Sequence, residues 1–210
     1  VRSSAASDVY KRQIDKFFGH SDHVFHEIDS PDIHVDIFIV EPTAERNYYT
    51  LVTSGMGAHR MNVPKELAEY KLERAEIVVY LPADWNISDH EEKNYWPLRW
   101  LKILARLPLE EDSWLGWGHS VPNGKPFAEN TQLSSVLLIN PENVEEGAAV
   151  CQLPNGEEVN FYQMIPLYEE EVNFKIQNGA ETLLGKMGEI SAVVDIHRLN
   201  VCEGFGRPKE

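Results

Sequence analysis

The chain has 210 residues, 42% of them hydrophobic and 25% charged, with a formal charge of −15 at neutral pH. That apolar content supplies a core at this length without metal or disulfide staples. The acidic balance argues against nucleic acid or an anionic membrane as partner, since both attract clustered lysine and arginine.

The opening "VRSSAASDVYKRQ" has no apolar segment after its basic residues, so it does not read as a secretory signal. Its character changes abruptly at Gln13, and residues 1–13 are read as a non-native, adapter-derived segment. They carry a net +2, from Arg2, Lys11 and Arg12 against Asp8, which leaves −17 on residues 14–210. No repeat, low-complexity tract or linker divides the remainder. The expectation is one domain over 14–204 and a polar tail over 205–210.

"HVDIFIVEP" (34–42) and "NYYTLVTSG" (47–55) have the alternation and β-branched content of strands, joined as an antiparallel hairpin. "PKELAEYKLE" predicts a short helix with Pro64 at its first position. "AEIVVYLPADW" (75–85) predicts a central strand stopped at Pro82. "EKNYWPLRWLKILARLP" (92–108) predicts a helix burying Trp96, Trp100, Ile103 and Leu107 along one face, with Pro97 tolerated near its start.

Residues 110–127 hold enough Gly, Pro and Asn for a structured loop or two short strands. "SSVLLINP" (134–141) predicts a strand. Residues 148–168 predict two strands around Pro154-Asn155-Gly156, with Asn-Gly as a type I′ turn. Residues 168–189 predict helix, with acidic residues in the first turn and an interruption at Gly179. "ISAVVDIHRL" (190–199) fits strand or helix. The sum is an α+β domain, a mixed and largely antiparallel sheet with helices packed on it.

No bilayer-spanning apolar run of ~20 residues is present. Cys151 and Cys202 lie outside any C-x-x-C arrangement, which predicts free thiols in a reduced, cytoplasmic setting. His34 and Asp36 share one face of a strand. They serve as two ligands of a metal site that lacks its third, or as a local hydrogen bond at a sheet edge. "TSGMG" is neither a nucleophile elbow nor a phosphate loop. Thr53, Gly55 and Met56 form either a turn that presents an adaptable methionine to a partner or a plain turn with Met56 in the core. Trp114 and Trp117 are interface anchors or core caps. His119 is a base only if it has a pocket and a partner. Asp195, His197 and Arg198 read as a local ion pair or hydrogen bond.

Six phrases, "HVDIFIVEPT", "YYTLVTSGM", "ERAEIVVYLPADW", "WPLRWLKILARLP", "GWGHSV" and "VNFYQMIPLYEEE", stand in the order found in the suppressor-of-fused domain. The resemblance runs from about His34 to Val201. It implies a protein-binding domain of mixed α/β type without catalytic activity or cofactor. In animals such a domain precedes a second one, and a peptide of a zinc-finger transcription factor is gripped between the two as an added strand. Some stand-alone bacterial versions resemble immunity proteins that neutralise toxins by direct binding. An acidic domain suits a basic toxin, because opposite fields speed encounter. Some carboxylates of the acidic segments 88–94, 109–113 and 168–173 are then expected on one face. The competing readings are an enzyme or small-molecule binder in which His34, Asp36 and His119 converge, and a structural module of a larger assembly.

Overall fold

The apolar stretch Ala75–Pro82 forms strand β4, and in the computed structural model it lies in the middle of an eight-stranded sheet. The structure describes residues 5–21, 23–26, 33–188 and 192–206. Parts of the expected adapter segment (1–4), of the 168–189 helix and 190–199 element (189–191) and of the tail (207–210) lie outside the described residues. Across the sheet the order is β1 (His23–Phe25), β2 (Asp36–Val40), β3 (Tyr48–Ser54), β4, β8 (Glu158–Leu167), β6 (Ser135–Ile139) and β5 (Ser120–Pro122). Strand β7 (Val150–Gln152) pairs with β8 off this path. Among these strands the β4–β8 pair is parallel and the others are antiparallel. This is the mixed, largely antiparallel sheet that the sequence predicts.

Helices cover both faces. Ile77, Val79 and Leu81 of β4 join the core that includes Trp96, Trp100, Leu101 and Leu104 of α2 (Glu92–Glu110). Val78 and Tyr80 point the other way, into a second core with Ile14 and Phe18 at the end of α1 (Ala5–Phe17). A third cluster joins Leu137 and Ile139 of β6 to Leu183 and Met187 of α4 (Ala180–Met187), which follows α3 (Glu169–Asn178). Burial on both faces explains why β4 reads as a continuous apolar run rather than an alternating one. Each fully buried aliphatic side chain here contributes about 1.5–3 kcal/mol.

Several details depart from expectation. The boundary drawn at Gln13 falls inside α1; Tyr10 is buried, and Gln13 Nε2 donates to the carbonyls of Gly147 and Val150. Helix α2 begins five residues before Pro97, which therefore stands in its second turn and denies Lys93 its i+4 donor. Its buried face runs through Trp96, Trp100, Leu101, Leu104 and Ala105, with Ile103 and Leu107 only half-buried. The segment after Pro64 is a 3-10 helix, Lys65–Tyr70, that buries no residue, so nothing stabilises a longer helix there. In the β7–β8 hairpin only Gly156 takes positive φ, 82°, and the Gly156 amide donates to Leu153. The connection is thus a three-residue turn rather than type I′. Residues 192–199 are irregular, attached to the sheet by one parallel bridge, Tyr80 to Val193. The break between α3 and α4 does fall at Gly179, φ 90°.

Candidate functional site

One acidic residue interrupts β4, and it is fully buried: Glu76. Its Oε1 accepts the amides of Gly55 and Gly57, each at 2.9 Å, while Oε2 accepts the Thr53 hydroxyl at 2.6 Å. Thr53 Oγ1 in turn accepts the Ile77 amide at 2.8 Å. Gly55 has φ 130°, and a Cβ there would stand 2.1 Å from the His34 carbonyl oxygen, so only glycine brings its amide to the carboxylate. Burial pushes the Glu76 carboxyl up to about 7, and the Thr53 hydroxyl and turn amides pull against that rise. Thr53 is in the core and Met56 is 3% exposed, which matches the alternative of a plain turn with Met56 in the core. The 53–57 stretch is a turn stapled from beneath.

His34 and Asp36 do meet. Asp36 Oδ1 lies 3.0 Å from His34 Nε2 and 3.2 Å from His26 Nδ1. Among the described residues no group of three His, Cys, Asp or Glu is placed to hold a metal ion. His119 stands elsewhere. It follows the loop into β5, at the opposite edge of the sheet from β1 and β2. Five strand spacings separate β2 from β5, about 24 Å, so His34, Asp36 and His119 share no pocket. His119 packs against Trp114, ring centroids 4.3 Å apart, and burial lowers its pKa. Trp114 is half-buried against the main core, whereas Trp117 is 41% exposed over a hollow with Leu72, Asn160 and Tyr162. Cys151 and Cys202 are buried free thiols.

A concavity lies beside β5, where the N-terminus of α3 meets the segment 198–203. It has a volume of 520 Å³ and includes Pro122, Tyr168, Glu169, Glu170, Leu199 and Glu203. Two further hollows adjoin it through shared residues: one holds Glu92, Arg99 and Glu129, the other Glu129, Gln132 and Tyr168. Together they form a continuous concave surface. Its floor is rigid, because buried Glu171 receives Arg198 Nη1 at 2.7 Å and Nη2 at 2.5 Å, and also the amides of Tyr168 and Val201. Tyr168 closes the loop by donating its hydroxyl to the Arg198 carbonyl.

The electrostatics of this surface follow from those pairings. Arg198 is neutralised by Glu171 and Arg99 by Glu92, leaving Glu129, Glu169 and Glu203 against Lys125 and His197. The acidic segments 88–94 and 168–173 thus reach one surface. Segment 109–113 does not: it lies at the other end of α2, about 28 Å away along the helix. The 53–63 and 113–119 loops adjoin at that far end, where the Leu115 amide meets Met61 Sδ at 3.4 Å and the Asn62 amide donates to Ser113.

Sequence reasoning passed over Glu76, Glu129 and Glu203, took Glu171 only as one of the acidic residues of 168–173, and read Arg198 only as part of a local ion pair or hydrogen bond with Asp195 and His197. An acidic residue within the most apolar strand was the available signal for Glu76. The Glu171–Arg198 pair spans 27 positions and leaves no local pattern.

The family model described as Suppressor of fused protein (SUFU) matches residues 31–199. An uncharacterized protein of Ureaplasma parvum serovar 3 is 26% identical over 200 residues, spanning 93% of this chain and 95% of the relative. Among solved structures, a SUFU homologue from Neisseria gonorrhoeae FA 1090 superposes with TM-score 0.67 at 19% identity, covering 92% of this chain and 95% of that one. The Sufu–Fu complex structure gives 0.64 at 13%, covering 92% and 89%. Drosophila Suppressor of Fused gives 0.56 at 15%, with 80% of this chain matched to 42% of that protein. At these identities the structures establish a shared fold. Among the described residues no helix is long and apolar enough to cross a membrane.

Proposed function

Because this chain belongs to the suppressor of fused family, we propose that it is a non-catalytic domain that captures a basic protein, in the manner of an immunity protein neutralising a toxin. The observation that carries this reading is the concave surface at the N-termini of α2 and α3. Its arginines are already paired with glutamates of this chain, so the remaining carboxylates present unbalanced negative charge to solvent. Pro122, Pro126, Tyr168 and Leu199 give the same surface apolar area, which a basic side chain with a long aliphatic stem can cover. With −17 on residues 14–210, the long-range field attracts a cationic partner and repels competitors such as nucleic acid.

Family membership supports protein binding in particular, since a solved relative is a complex of Sufu with Fu. The reading expects a basic protein to be encoded beside this chain, and the test is co-expression with that neighbouring gene product, followed by affinity purification across a salt series. A one-to-one complex that weakens as salt rises supports the reading. A neighbouring basic protein that passes through unretained at low salt contradicts it.

A further inference from the structure

Glu76 is a buried carboxylate whose contacts are all with neutral donors. Its hydrogen bonds run to Thr53 and to the amides of the 55–57 turn, so its charge is balanced by dipoles rather than by a cation. Tyr10 of α1 lies near enough for the Glu76 charge to push its phenol up, and Tyr10 is in turn influenced by Arg74 before β4, Cys151 of β7 and Glu157 of the β7–β8 turn. Arg74 spends its Nη1 on the carbonyls of Gly57 and Ala58 and its Nε on Glu157, and Tyr10 donates to Gly57. All of these grip the same short loop from outside while Glu76 holds it from inside.

We propose that Glu76, Thr53 and the amides of Gly55 and Gly57 form a proton-gated latch, in which uptake of one proton by the carboxylate loosens the 55–60 loop. The hydrogen bonds dictate the direction. In the ionised state Oε2 accepts from the Thr53 hydroxyl and Oε1 accepts from both glycine amides. A proton arriving from solvent lands on Oε2, which then must donate to Thr53 Oγ1, and the Thr53 hydroxyl hydrogen loses its acceptor. Thr53 Oγ1 still accepts the Ile77 amide, so β4 keeps its anchor. The glycine amides now face a neutral carbonyl oxygen in place of a carboxylate, and charge-assisted bonds become ordinary ones, roughly half as strong. The loop released carries exposed His59 and Arg60, the latter paired with Glu157. The two glycines supply the hinge: Gly55 at φ 130°, and Gly57, where a Cβ would crowd Val159 at 3.0 Å and Glu76 at 3.1 Å.

An NMR pH titration of the intact protein tests the latch. The Gly55 and Gly57 amide resonances should move together with a single midpoint near neutrality, with a matching transition in the Glu76 side-chain carboxyl carbon. Glu76→Gln, which places a neutral acceptor in the same position, should flatten both amide curves. Amide curves that are flat in the wild type, or a titration that persists in Glu76→Gln, would overturn the proposal. If that variant does not fold, the wild-type carboxyl carbon decides alone. A midpoint in the ordinary glutamate range near ~4.3, or a carboxylate ionised throughout, contradicts the latch.

Discussion

Among the described residues two glutamates are fully buried, and they are accommodated by opposite means. Glu171 faces a guanidinium: Arg198 grips it with both Nη atoms, and two backbone amides complete its shell. Glu76 faces only a hydroxyl and turn amides. The ion pair is a fixed clamp between α3 and the C-terminal segment, because neither member can change charge cheaply while the other remains. The dipole-held carboxylate can give up its charge when the solution supplies a proton. The same residue type, equally hidden, therefore makes a static floor for the concave surface in one place and a titratable latch in the other.

The comparison breaks most visibly at Arg198. Arg198→Ala strands Glu171 as an unpaired buried charge and should cost about 3–5 kcal/mol in urea denaturation. A loss under ~1 kcal/mol would show that water or a nearby group replaces the guanidinium.

Next in size is the pH dependence at Glu76. Its folded pKa, about 7, stands above the 4.5 of an ordinary glutamate, so the folded state holds the proton more tightly than the unfolded chain does. The stabilisation this gives is complete below the unfolded value and is lost as pH rises through the folded one. Wild type should therefore lose stability relative to Glu76→Gln between pH ~5 and pH ~8, on the order of 3 kcal/mol, read from urea midpoints at the two values. Parallel pH curves for the two proteins would show that Glu76 keeps one charge state throughout.

The smallest expected effect on folding comes from the rim of the concave surface. Glu129→Lys, Glu169→Lys and Glu203→Lys alter exposed side chains, and each should change stability by no more than about 0.5 kcal/mol in thermal melts. Larger losses would mean that these carboxylates belong to the fold rather than to a partner.

Much of the architecture was legible beforehand because it rests on local pattern. The apolar run of β4, the β2–β3 hairpin, the Trp-bearing face of α2 and the Gly179 break each follow from periodicity or from one backbone requirement. The three-residue strand β1 and the irregular 192–199 segment escaped because neighbours define them, not their own sequence. The site was harder to read. Met56 lies among flexible residues that suggest a surface loop, yet the carboxylate beneath pulls the turn inward and buries it. His34, Asp36 and His119 attracted attention as chemistry-bearing types, and sheet order alone separates them. The acidic segments were visible as composition, while their division between the two ends of α2 depended on the helix that joins them.

Calorimetric titration of the purified domain with the neighbouring gene product, which the proposed function expects to be basic, tests that role most directly, comparing wild type with the combined Glu129→Lys, Glu169→Lys and Glu203→Lys variant. Binding through the concave surface predicts affinity weaker by at least about tenfold in the variant, with its melting curve little changed. Equal affinity in the two folded proteins would contradict the assignment of that surface as the place where this domain meets its partner.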